Sequence, residues 1–220
     1  KEARVRDRLK RYGIRQLDAV ILSHPDSDHV GGLDAVMEEC RVGLVLETGA
    51  TGGDPYLQWR RSVEDEGSQT ILATAGRRIV LGDVTVEVMG PLPGAVMEEA
   101  GNDASMICRV STPEISLLAT GDIEEEEELE LLATEKDIHA DVLKVPHHGG
   151  FADSGEWFFR SVGARVAVIS VGRDNRYGHP HAATLQALEA AGSSAYRTDE
   201  LGDIIVESKE GGRLAVSHAR

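Results

Sequence analysis

The stretch His24-Pro25-Asp26-Ser27-Asp28-His29 decides how this chain is read. Two imidazoles and two carboxylates fall within six residues, after the β-type run Ala19-Val20-Ile21-Leu22-Ser23 and before Gly31-Gly32. A loop that only starts a helix needs one short polar side chain at its N-cap, not four donors. Imidazole and carboxylate together are a ligand set for divalent metal ions. If alternate residues face alike, His24, Asp26 and Asp28 present one side and His29 another, which suits two neighbouring ions sharing one loop.

Three more β-type runs end in chemically loaded turns. Ile115–Thr120 leads into Gly121-Asp122, Val142–Val145 into Pro146-His147-His148-Gly149-Gly150, and Arg165–Val171 into a segment holding Asn175-Arg176-Tyr177-Gly178-His179-Pro180-His181. Strands of one sheet running the same way would bring these ends to one edge, where α/β folds place their sites. A carboxylate such as Asp122 bridges two cations, and one of His147 and His148 binds metal while the other faces a water or phosphate oxygen. His179 is a candidate proton donor, since an imidazole titrates near neutrality. The glutamates of Glu124–Glu128 point round a helix, so that run reads as a solvated first turn favoured by the helix dipole. Further helices are expected at Leu33–Glu39, Glu124–Ala133 and Thr184–Ala191. Trp157, Phe158 and Phe159 are expected as core anchors of another, and Trp59 as a stem packed on the surface beside Arg60 and Arg61. The stretch from Thr70 to Thr120 is nearly all strand and turn, so the fold class is α/β with mixed sheets and helices outside.

The chain has 220 residues, and one compact domain, 1–220, is the expectation. Hydrophobic residues make up 41% and charged residues 28%, which excludes global disorder. With 38 acidic against 23 basic side chains the formal charge is −15, which argues against a protein that grips DNA by charge. Nine aromatic residues (two Trp, four Tyr, three Phe) argue against a base-stacking platform. Cys40 and Cys108 form one bridge or stay two buried thiols. No apolar run reaches the roughly 20 residues of a spanning helix. A start at Lys1 reads as a piece of a longer product.

His24-Pro25-Asp26-Ser27-Asp28-His29-Val30-Gly31-Gly32 resembles the HxHxDH signature of the metallo-β-lactamase superfamily, with Asp26 in place of the second histidine. Thr120-Gly121-Asp122 resembles its bridging-aspartate segment. Val145-Pro146-His147-His148-Gly149 and Asn175-Arg176-Tyr177-Gly178-His179-Pro180 narrow the resemblance to the C-terminal domain of the ComEC family of DNA-uptake competence proteins. It extends from about Leu9 to the end.

The resemblance implies an αββα sandwich, lacking its first strands, with two divalent metal ions. It puts His24, Asp26, Asp28, His29, Asp122 and His147 or His148 on metal positions. Catalytic roles fall to Asp28, His148 and His179, and substrate contacts to Asn102, Ser105, Ser154, Arg176 and His179. Asn102 stands where many relatives carry a histidine. With Asp26 it makes the site oxygen-rich, which favours Mn²⁺, with Zn²⁺ close behind. The implied activity is hydrolysis of the DNA strand that is not taken up, by a domain on the extracellular face of a membrane-embedded parent protein. The alternatives are a small-molecule ester hydrolase on the same scaffold and a non-catalytic metal-binding or docking domain.

Overall fold

The computed structural model describes residues 2–95, 101–134, 136–150 and 155–219. They form two compact units, Lys1–Arg77 with Pro91–Met106 and Arg78–Gly90 with Ile107–Arg220. Each has its own sheet and its own core.

In the first unit, helix α1 (Glu2–Arg11) is followed by β1 (Gln16–Ile21), the one-turn α2 (Ser27–Val30), α3 (Leu33–Glu39), β2 (Arg41–Glu47), α4 (Asp54–Glu66) and β3 (Gln69–Leu72). The strands are parallel in the order β1-β2-β3. Val42, Leu44, Val45 and Leu46 of central β2 are all buried, the near-continuous apolar run of a strand covered on both faces. Trp59, expected on the surface, is instead fully buried. Helix α4 is the reason. Pro55 sits in its first turn, and Gly67 closes it at a φ of 72°, a left-handed conformation that costs glycine nothing. Tyr56, Trp59 and Val63 then recur at the three- and four-residue spacing of one apolar stripe, which packs with Val20, Leu22, Val30 and Val45.

The second unit opens with β4 (Arg78–Leu81), β5 (Val84–Gly90), β6 (Ile107–Ser111) and β7 (Ser116–Ala119). It continues through α5 (Glu125–Ala133), β8 (Val142–Lys144), α6 (Gly155–Val162), β9 (Val166–Ile169), α7 (Ala182–Ala190) and β10 (Ser194–Arg197). It closes on α8 (Thr198–Leu201) and the hairpin of β11 (Asp203–Lys209) and β12 (Arg213–Ala219). The large sheet has the order β10-β9-β8-β7-β6-β5-β4. Strands β4 to β7 pair antiparallel and β7 to β10 parallel, so the sheet is mixed, as the strand-rich middle of the sequence predicted.

Three expectations change. The four loaded strand ends do not share one sheet: β1 pairs with β2 in the small sheet, while β7, β8 and β9 are neighbours in the large one. Trp157 is 73% exposed, whereas Phe158, Phe159 and Val162 enter the core, because successive residues of α6 point about 100° apart. Glu128 is buried, unlike Glu124, Glu125 and Glu126, because it lies one turn before Leu131 on the packed face of α5. Cys40 and Cys108 are both free, buried thiols, and burial pushes Cys108 up to about 12.

Candidate metal centre

The first cluster of donors lies where β1 runs out. Leu22 N–H donates to Leu46 O at 2.9 Å, carrying the β1–β2 pairing one residue further and fixing where the loop begins. Alternation then stops, because Ser27–Val30 winds into α2 with Asp26 as its N-cap residue. The side chain of Asp26 makes no capping bond. Both backbone bonds that close the turn, from His29 and Val30 N–H, go instead to the Asp26 carbonyl at 2.9 Å. His29 therefore does not face away from His24 as strand-like alternation predicted. The helical turn brings the two rings to 4.1 Å between centroids.

His24 is only 1% exposed. Its Nδ1 lies 3.1 Å from Ser23 Oγ and 3.2 Å from Ser105 Oγ, and the Ser23 hydroxyl also lies 3.1 Å from His29 Nδ1. Hydroxyls on Nδ1 fix both rings and direct Nε2 of His24 toward the loop carboxylates, with Asp26 Oδ2 at 4.0 Å. Ser105 was expected to touch substrate, yet it is buried behind His24 and positions that ring. Its segment is tied down by Met106 N–H donating to Ser23 O at 2.8 Å. Asn102 is half-buried in the preceding turn.

The second unit gathers Asp122, His147, His148 and His179 at the ends of three adjacent parallel strands, β7, β8 and β9. Asp122 is 4% exposed, with Lys144 Nζ at 3.0 Å from Oδ1 and His148 Nε2 at 3.1 Å from Oδ2. His148 Nδ1 lies 2.6 Å from the Ser170 carbonyl, which only accepts, so Nδ1 carries a proton, and Nε2, facing the Asp122 carboxylate, is the nitrogen that gains or loses one. A metal-binding imidazole is normally oriented this way. The hydrogen bond with Asp122 raises the pKa of His148, with burial opposing it.

Backbone conformation separates the two adjacent histidines from a surface pair. His147 (φ 43°, ψ 47°) and His148 (φ 54°, ψ 19°) both sit in the left-handed region, followed by Gly149 at φ 82°. Each non-glycine residue there costs roughly 1–2 kcal/mol, and such strain collects at functional sites. His147 lies 3.4 Å from Glu124, and its ring is 5.5 Å from that of His179. Asn175 holds His179 by accepting from its N–H and donating to its carbonyl, both at 2.9 Å. Nδ1 of His179 is buried with no hydrogen-bond partner among the described residues. Its pKa is lowered by burial first, then by the neighbouring His147, His181 and His148, with Asp122 opposing. Arg176 is exposed on the same loop, and Ser154 lies outside the described residues.

Sequence reading missed Lys144 and Asn175. Lys144 had a signal, as the one charge in the apolar strand Val142-Leu143-Lys144-Val145. A second omission is the support under the first loop. Buried Glu47, at the end of β2, accepts from Tyr56 Oη at 3.0 Å and from Arg60 Nη1 at 2.7 Å. Burial, then Glu47, push Tyr56 up to about 12.

The donor chemistry fits divalent metal ions: imidazoles locked through Nδ1, and carboxylates at the mouths of strands. Residues 2–173 match the Metallo-beta-lactamase superfamily, and the chain belongs to it. Members are generally metal-dependent hydrolases. Within it, the chain is similar to two competence proteins of the ComEC family. It is 34% identical to ComE operon protein 3 of Bacillus subtilis (strain 168), over 89% of this chain and 25% of that protein. It is 31% identical to Competence protein ComA of Neisseria gonorrhoeae, over 88% of this chain and 26% of that protein. The chain thus spans about a quarter of each relative's length. Among solved structures, the metallo-beta-lactamase fold protein YhfI from Bacillus subtilis aligns with a TM-score of 0.52 at 14% identity, covering 82% of this chain and 74% of YhfI. That likeness supports the fold alone.

Proposed function

We propose that the chain is a metal-dependent phosphodiesterase that cleaves DNA, acting on the strand not transported during DNA uptake by a larger membrane-embedded protein. In this reading the domain works on the extracellular face. His24, Asp26, Asp28, His29, Asp122 and His148 hold a pair of divalent cations. Asp26 and Asn102 make the donor set oxygen-rich, which suits Mn²⁺, with Zn²⁺ close behind.

The observation that carries the reading is the orientation of His148. A backbone carbonyl fixes a proton on Nδ1, which leaves Nε2, 3.1 Å from Asp122 Oδ2, as the nitrogen that can offer a lone pair to a cation beside that carboxylate, and the backbone is held in a strained conformation to achieve this. Held by these residues, divalent cations would supply positive charge to neutralise the phosphate and would make a bound water more acidic. The protein's own groups do the rest. Lys144 Nζ donates to Asp122 Oδ1 at 3.0 Å and holds that carboxylate in place. Asp28 and Asp122 accept hydrogen bonds from the attacking water and hold it in line. His179, its backbone pinned by Asn175, passes a proton to the leaving oxygen. The net charge of −15 does not oppose this, since field at the phosphate is set by the nearest charges.

The test is Mn²⁺-stimulated cleavage of DNA by the purified chain. Asp28→Ala and Asp122→Ala, checked for folding by circular dichroism, are expected to lose it. Undiminished cleavage by the folded variants rejects the assignment, and turnover of small esters without DNA cleavage shifts it to an ester hydrolase.

A further inference from the structure

Tyr177 takes no part in the chemistry above, yet it is 77% exposed, the most exposed large aromatic among the described residues. Its ring stacks on His179, with centroids 5.8 Å apart and planes 16° from parallel. The loop presenting it is fixed. The Asn175 side chain donates to Gly172 O at 3.1 Å and to His179 O at 2.9 Å, and accepts from His179 N–H at 2.9 Å. One face of the phenol is therefore backed by an imidazole, in an aromatic series that runs on to His147 and His148. Arg173 and Arg176 are exposed just before Tyr177 on the same loop, with the single acid Asp174 between them.

We infer that Tyr177 is a base-stacking residue for single-stranded nucleic acid, seating the base next to the phosphate handled at His148 and Asp122. This deepens the phosphodiesterase reading and rests on it for the identity of the ligand. An extended aromatic platform is excluded by composition, but one base needs one ring. In a chain this acidic, affinity for a polyanion has to come from contacts that long-range charge does not weaken. Stacking is such a contact, and every base offers a π-face for it. In a duplex those faces are already occupied, so the contact selects for single strands. Arg176 adds local positive charge for the flanking phosphate.

The test compares wild type, Tyr177→Ala and Tyr177→Phe by fluorescence anisotropy on a labelled oligothymidylate and on an abasic oligonucleotide of equal length. Cleavage of single-stranded and duplex DNA in Mn²⁺ is followed in parallel. Tyr177→Ala is expected to weaken oligothymidylate binding about 5- to 150-fold. Tyr177→Phe should retain it, and abasic binding should stay unchanged. Equal binding by wild type and Tyr177→Ala, an equal loss on the abasic strand, or no binding by wild type overturns the inference. If wild type binds through Tyr177 yet cleaves nothing, the phosphodiesterase reading falls and the stacking role stands. If wild type cleaves duplex and single strand alike and Tyr177→Ala changes neither binding nor cleavage, the reverse holds.

Discussion

Gly52 is where the support of the first donor loop is most exposed to a single methyl group. A Cβ at this position would lie 2.6 Å from Pro25 Cβ, 3.0 Å from Pro25 O and 3.0 Å from Tyr56 Cβ. Neither the proline ring nor its carbonyl turns aside cheaply, and Pro25 is bonded to His24 and Asp26. Its φ is not in the left-handed region, so alanine's own backbone preference is no obstacle. With room, Gly52→Ala would gain about 0.4–1 kcal/mol through the unfolded chain. Without room, overpacking costs about 1–3 kcal/mol, and the net loss is about 1–2 kcal/mol. The strain has two outlets. It lowers the melting temperature by roughly 2–8 °C, or the loop shifts and the cost returns when metal draws the ligands back. The latter weakens Mn²⁺ binding by about 5- to 30-fold. Gly53→Ala is the control, since a Cβ there meets nothing within 4 Å. Thermal melts of the metal-free proteins and chelator competition for Mn²⁺ read both outlets. If Gly52→Ala matches wild type in stability and in Mn²⁺ affinity, the claim that Gly52 and Pro25 fix the loop is wrong.

Two further outcomes follow from the groups around the donors. Tyr56 has its pKa raised to about 12, so its neutral form contributes stability that is fully present below pH ~10 and is lost as pH rises through ~12. Two units correspond to about 2.7 kcal/mol; urea unfolding between pH ~9 and ~12 should show this slope in wild type and not in Tyr56→Phe. His147→Gly should raise metal-free stability by about 1 kcal/mol, because glycine tolerates the left-handed conformation at φ 43°. A melting temperature below that of wild type contradicts the strain argument.

The donors were legible because they cluster: a loop with four ligand-type side chains in six residues admits few ordinary explanations. Their mutual orientation was not, since it depends on whether Ser27–Val30 extends or winds into a turn, and the winding puts His29 beside His24. Helix α4 was within reach, because Pro55, the Tyr56-Trp59-Val63 spacing and Gly67 are all signals in the sequence. The left-handed turn at His147 and His148 had no signal, since non-glycine residues rarely adopt it and nothing in their identity announces it. Strand partners were also out of reach. β1 and β7 end in similar chemistry, and only register assigns them to different sheets. Glu128 shows the limit of composition, as one glutamate in a run of five is drawn under the surface by its place on the helix.

The proposed function requires that the donors of the His24–His29 loop, and those at Asp122 and His148, bind divalent cations. Anomalous scattering from crystals soaked in Mn²⁺ tests it most directly. Two manganese peaks per chain are expected, with ligands among His24, Asp26, Asp28 and His29 and among Asp122 and His148. No peak at these residues, or manganese bound only at other carboxylates, contradicts it.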